Sequence, residues 1–228
     1  MVGRTGIWIA EQGGFGMSSF EPVLVADNAE NNTAREQLLS AASQIMRDGD
    51  TINLSLSELS LRAGLNSALV KYYFGNKSGL MQALLDRDMR NIIAGLEALL
   101  AKDMPPEEKL RRHIGAVIDT YYAFPSLNRL LMQLVRDSAP AESARIAELY
   151  LKPIANIYDA LITEGVKAGK FRDVDPQLFY FTVTGAADRF FSARLVLRHC
   201  YDQEDISEPM RDRYREHTVD IIMRGLLV

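Results

Sequence analysis

At 228 residues the chain can bury a full core, and its 47% hydrophobic and 25% charged content excludes wholesale disorder. A net charge of −4 excludes a surface coated in base for nucleic acid, and the lone cysteine, Cys200, excludes an internal disulfide framework or a thiolate-rich metal site. No apolar run approaches the ~20 residues that span a bilayer, and the N-terminus does not read as a signal peptide, so a cytoplasmic protein is expected.

Helix formers dominate and period-two apolar runs are scarce, so the expected fold is all-α. Residues 1–32 carry Gly13-Gly14-Phe15-Gly16, Pro22 and a polar tract from Asp27 to Asn32 without helical period, and are expected to form a flexible arm. Met17 is an alternative start, which would make residues 1–16 an upstream extension. The arm is acidic, residues 33–90 are mildly basic with seven Lys/Arg against six acids, and the remainder is mildly acidic. Affinity for DNA would therefore rest on the placement of a few groups.

Order is expected from Thr33, where Thr33-Ala34-Arg35-Glu36 has the form of a capping box and Leu38, Ala41, Ala42, Ile45 and Met46 follow at helical spacing. A second box, Ser55-Leu56-Ser57-Glu58, opens a short helix that Gly64 stops. Asn66 caps the next helix, Ser67 to about Phe74, and Asn76 caps a long one from Lys77 to about Lys102. Two short helices around a glycine-containing turn form a helix-turn-helix pattern. An N-terminal three-helix domain at 33–80 and a C-terminal helical bundle at 81–228 are the expected organisation.

Beyond Pro105-Pro106, helices are expected at 106–123, 126–137, 141–169, 176–198 and 208–227, with prolines near four of their starts and Pro153 kinking the third. Leu178 to Ala187 carries no charge, and a helix apolar all round must be covered all round. A second copy of the chain is the simplest cover. Phe179, Val183, Gly185, Ala186 and Phe190, with Tyr214, Thr218 and Ile221 of the last helix, are the expected interface of a homodimer.

Leu59-Ser60-Leu61-Arg62-Ala63-Gly64-Leu65-Asn66, followed by Tyr72-Tyr73-Phe74-Gly75-Asn76-Lys77-Ser78-Gly79-Leu80, closely resembles the TetR family of one-component regulators. The likeness extends weakly through Glu164-Gly165-Val166-Lys167-Ala168-Gly169-Lys170-Phe171-Arg172-Asp173-Val174-Asp175-Pro176, so it covers roughly residues 33–228. Lys71 departs from the pattern, because the family most often has tyrosine there, and the linker Asp50 to Leu54 is one residue longer than usual. The resemblance implies a DNA-binding transcriptional regulator, in the family's usual mode a repressor released from its operator by a small molecule.

The physics of the motif names the contacts. Its second helix enters the major groove N-terminus first, presenting Ser67, Ala68, Leu69, Lys71 and Tyr72, with Ser67 able to bond a base edge and Ala68 or Leu69 able to meet a thymine methyl. Helix starts at Ser55, Ser57 and Lys77 are natural phosphate seats, Asn66 opens the reading helix, and Tyr72 or Tyr73 can donate a phenol to phosphate. Tyr73 is as readily a core residue.

An effector pocket inside the 106–198 bundle is what the resemblance implies. His113, Tyr121, Met132, Arg136, Tyr158 and Phe181 are its candidate lining, although aromatic and Met side chains at helical spacing are more often core. The effector would be mostly apolar or aromatic. No cofactor and no metal are expected, and no enzyme: His113, His199 and His217 lack metal spacing, and neither a phosphate-binding glycine loop nor a nucleophile elbow occurs. A helical scaffold with a degenerate helix-turn-helix is the alternative.

Overall fold

The computed structural model describes residues 31–49 and 51–228, together with the backbone of two short strands. These strands, β1 (Ile7–Trp8) and β2 (Pro22–Val23), pair antiparallel with Ile7 opposite Val23. The arm expected at 1–32 otherwise lies outside the described residues.

Backbone packing divides the chain into two compact units, Met1–Ala98 and Leu99–Val228. Both are helical. The first holds α1 (Asn31–Asp48), α2 (Leu56–Ala63), α3 (Ala68–Phe74) and nearly all of α4 (Lys77–Leu100).

α1 starts two residues ahead of the cap expected at Thr33, and the Glu36 carboxylate, which that cap would use, is drawn into ion pairs with Arg35 and Arg87 instead. Leu38, Ala41, Ala42, Ile45 and Met46 are buried as their spacing requires, and Leu39 joins them. α4 buries Leu80, Met81, Leu84, Leu85 and Met89. Its Arg87 fastens it to α1, with the guanidinium 2.8 Å from Asp88, 3.0 Å from the Ser43 hydroxyl and 3.5 Å from Glu36. Burial raises the Asp88 carboxyl above its ordinary value, and Arg87 opposes the shift.

The second unit contains α5 (Pro106–Ala123), α6 (Leu127–Asp137), α7 (Pro140–Ile146), α8 (Lys152–Lys167), α9 (Pro176–Phe191), α10 (Arg194–Tyr201) and α11 (Glu208–Leu226). α5 is its central helix, packed against α8, α9 and most extensively α11. Two partly buried ion-pair sets pin those contacts: Lys109 of α5 reaches Glu164 of α8 at 2.9 Å, and Asp119 of α5 meets Arg215 and Arg211 of α11 at 3.0 and 3.5 Å.

Two of the expected helices are interrupted. The 141–169 span is broken by a π-helical turn at Ala147–Leu151, which ends where Pro153 enters α8. Widening the coil there accommodates the missing proline amide. The 176–198 span stops at Phe191: the Ser192 hydroxyl bonds back to the Arg189 carbonyl, the Ala193 amide takes a tight bond to Phe190, and α10 begins at Arg194.

After α8, Gly169 adopts a left-handed φ of 66°, and the chain returns to lay Phe171 over Gly165, where an added Cβ would fall 1.9 Å from the ring. Arg172 N–H then donates to the Leu226 carbonyl and Val228 N–H to that of Lys170, which locks the C-terminus of α11 in place. No described helix is long and apolar enough to cross a membrane.

Candidate functional sites

The first candidate site is built by a sequence of caps. Ser55 Oγ accepts from Glu58 N–H at 3.0 Å and starts α2, whose Leu59 is buried. Gly64, at φ 66°, ends that helix, and Leu65 N–H donates back to the Ser60 carbonyl. Arg62 of α2 is held 2.7 Å from Asp48 at the end of α1. Asn66 Oδ1 accepts from Ala68 N–H at 2.8 Å, so Asn66 starts α3 as its spacing requires.

Within α3 only Val70 is buried, at 1% exposure, and it anchors the helix from below. Phe74, half-buried one turn later, lies under the Arg35 guanidinium at 5.4 Å. Asn76 then accepts from Gly79 N–H and starts α4, and the chain comes so close that a Cβ on Gly79 would fall 2.0 Å from the Phe74 carbonyl oxygen. A tightly specified frame therefore holds a short helix by one edge and leaves the other in solvent.

Of the residues expected at DNA, Ser55, Ser57, Asn66, Ser67, Ala68, Lys71 and Tyr72 are exposed, while Leu69, Tyr73 and Lys77 are half-buried. The Ser55 and Asn66 side-chain oxygens are already engaged as caps, so each has only spare capacity for another partner. Tyr72 is 75% exposed, and its ring meets that of Tyr73 edge-on at 4.8 Å. The sequence reading overlooked Leu61, 86% exposed on the outer face of α2. The helical angle held the signal, since two residues advance the helix by about 200° and Leu59 faces inward.

The second candidate site lies in the bundle. His113 of α5 is fully buried, and Tyr158 of α8 nearly so, with ring centroids 4.5 Å apart edge to face. Neither His113 nitrogen nor the Tyr158 hydroxyl has a hydrogen-bond partner among the described residues. Burial depresses the His113 imidazole to about 4, so it is neutral at physiological pH. Tyr180 of α9 packs edge-on against Tyr158 at 5.1 Å.

Burial first, then repulsion from Tyr180, and at Tyr158 also from Tyr121, raises the phenols of Tyr158 and Tyr121 above the ordinary tyrosine value. Asp188 adds to the repulsion at Tyr121 and accepts from Asn128 Nδ2 at 3.1 Å. Of the expected lining, His113, Tyr158 and Tyr121 come together and Met132 is half-buried. Arg136 and Phe181 are on the surface, because Phe181 falls on the outward side of α9 and Arg136 in the last turn of α6. Tyr180, not singled out from sequence, belongs to the cluster. Among the described residues no His, Cys, Asp and Glu side chains group to hold a metal ion.

The expected interface set also divides. Phe179, Val183 and Thr218 are buried inside the chain's own unit, because residues 179, 183, 187 and 191 form the inward stripe of α9. Phe190 and Tyr214 stack at 3.8 Å, and the Tyr214 hydroxyl donates to the Ala186 carbonyl at 2.7 Å, so these three also serve internal packing. Gly185 and Ile221 are exposed, and with Leu178, Phe181 and Gly225 they form the outward apolar stripe.

An all-α chain whose head frames an exposed edge of a two-turn helix and whose body buries an unsatisfied polar cluster is a helix-turn-helix regulator in form. The sequence profile of the tetracyclin repressor-like C-terminal domain matches residues 103–228. The chain belongs to the TetR family of transcriptional regulators.

Among its relatives, the HTH-type transcriptional regulator BetI 1 of Chromohalobacter salexigens is 28% identical over 100 residues, 43% of this chain and 48% of that protein. The chain thus matches about half the length of that relative. The fatty acid metabolism regulator protein of Bacillus subtilis is 23% identical over 167 residues, 73% of this chain and 86% of that one. A TetR/AcrR-family regulator from Thermobifida fusca shares the fold with a TM-score of 0.62 at 20% identity, over 84% of this chain and 97% of that chain.

Proposed function

We propose that this chain binds a DNA operator as a homodimer and represses transcription until a small, mostly apolar molecule enters the second unit. The observation that carries the reading is the exposed edge of α3, Ser67 to Tyr72, held by Val70 beneath and by caps at Asn66 and Asn76. That edge offers a hydroxyl, small apolar groups, a lysine and a phenol, a set able to combine base-edge contacts with phosphate contacts.

Two copies of the edge would address half-sites one helical turn apart, ~34–36 Å. The effector would act by preferring a dimer whose edges no longer match that spacing. A clean switch, from 1:99 to 99:1, requires a preference of ~5.5 kcal/mol.

A gel shift on the DNA upstream of the protein's own gene, repeated across a salt series, tests the reading. Log affinity is expected to fall steeply and linearly with log salt, because phosphate contacts release counterions. No retardation at low ionic strength would leave a helical scaffold as the better description.

A further inference from the structure

The buried cluster of the second unit constrains what the chain senses, and its polar atoms are the starting point. Buried polar groups in folded proteins are almost always hydrogen-bonded, and a buried phenol normally finds a partner. Here three such atoms converge without one, both His113 nitrogens and the Tyr158 hydroxyl, on side chains that solvent does not reach. They come from different helices, α5 and α8.

Beside this deep pair stand two half-buried phenols, Tyr180, whose ring lies 5.1 Å from that of Tyr158, and Tyr121, close enough to act on the Tyr158 phenol. We infer that the effector of this protein is an uncharged, ring-containing alcohol or ketone whose single oxygen is held between His113 and Tyr158 while Tyr121, Tyr180 and Phe179 pack its apolar body. This rests on the effector-sensing reading above.

The charge distribution argues for neutrality. The charged group that acts on Tyr121 is a carboxylate, Asp188, which after burial raises that phenol. An anionic ligand would meet repulsion from Asp188, and its desolvation would add to the cost. Arg112, beside His113 on α5, is paired with Glu108, and Lys109, one turn earlier, with Glu164. A single oxygen suits the donor set: neutral imidazole offers one donor and one acceptor, and the phenol offers a donor. A ketone accepts from both, and an alcohol accepts from one and donates to the other.

The test uses a matched pair of probes, 2-naphthol and 2-naphthoate, by calorimetric titration on the full chain. The expected result is saturable binding of 2-naphthol and none of 2-naphthoate. Tyr158→Phe, which removes only the hydroxyl, is expected to weaken 2-naphthol about tenfold. The same variant without ligand should melt higher than the parent, because an unpaired buried hydroxyl has been deleted. A merely structural hydroxyl would give the opposite sign.

Preferred binding of 2-naphthoate, binding of neither probe, or a ligand-free Tyr158→Phe that melts lower would each overturn the inference. Release of the chain from its upstream DNA is scored separately by gel shift. Release by 2-naphthoate, unchanged in Tyr158→Phe, would remove the neutral-alcohol assignment and leave effector sensing standing.

Discussion

His113 shows how far one side chain can set a property of the whole chain. Its imidazole titrates near 4 in the folded state, against 6.5 when solvated, because burial penalises the cation. Between those values the unfolded chain binds a proton that the folded chain does not, so stability rises with pH across the window. The contribution is complete above 6.5 and is lost as pH falls toward 4, with a total of about 3 kcal/mol. Buried Asp88 and Asp119, whose carboxyls are raised by burial, act in the opposite sense, from the ordinary carboxylate value upward. Denaturant melts of the parent and of His113→Leu, from pH 7.5 to 4.5, should therefore diverge, with the variant losing less. Parallel curves would mean that the imidazole is not sealed.

Lys77 supplies a second residue-scale test. It is half-buried at the first turn of α4, where free amides already favour an anion. Lys77→Ala should weaken binding to all DNA sequences alike and lower the salt slope by ~1. An unchanged slope would remove it from the phosphate contacts.

At the scale of elements, what was legible in the sequence and what was not follow from the range of the interactions involved. Caps and stops are local: Ser55, Gly64, Asn66 and Asn76 each act within three or four residues, and all four punctuate the head where their spacing indicates. Thr33 instead lies two residues inside α1, and Glu36, its partner in the box, also reaches Arg87 from 51 residues away. Burial of α9 was misjudged for the same reason. Composition registers that Phe179, Phe181, Phe190 and Phe191 are apolar, but only the packing of α5 and α8 tells which of them face inward. The polar cluster was half legible, since His113, Tyr121 and Tyr158 stood out by type, whereas Tyr180 owes its place to the crossing of α8 and α9.

Gly165 is a test at this scale, because it is where Phe171 crosses α8. Gly165→Ala would put a methyl group inside that ring's volume, and overpacking of this kind typically costs ~1–3 kcal/mol. Since Phe171 leads into the strand-like bridge with Leu227, the loss should appear as early exchange of the Arg172 and Val228 amides, both hydrogen-bonded there. Retained protection of those amides would show that the turn yields without strain.

For the molecule as a whole, the outward stripe of α9 and α11 decides between a lone chain and a pair. Leu178, Phe181 and Ile221 are each more than half exposed, and the glycines beside them, Gly185 and Gly225, have nothing within 4 Å of an added Cβ. Large apolar side chains around bare backbone would let another helix approach closely, and an exposed apolar patch of this kind marks an association surface. On a two-fold axis every substitution enters the interface twice, so one charge is amplified.

Phe181→Asp should leave the fold intact, since the ring is 60% exposed and meets the neighbouring Tyr180 ring only by an edge, and its far-ultraviolet dichroism and melting in dilute solution should resemble those of a monomer that folds. Sedimentation should show the variant at half the parent's mass. Its affinity for the upstream DNA should fall far more than that of a variant altered at one phosphate contact, because joint occupation of two half-sites is lost and only the weaker single-head contact survives. A parent that sediments as a monomer, or a Phe181→Asp that still pairs, would place the association surface elsewhere.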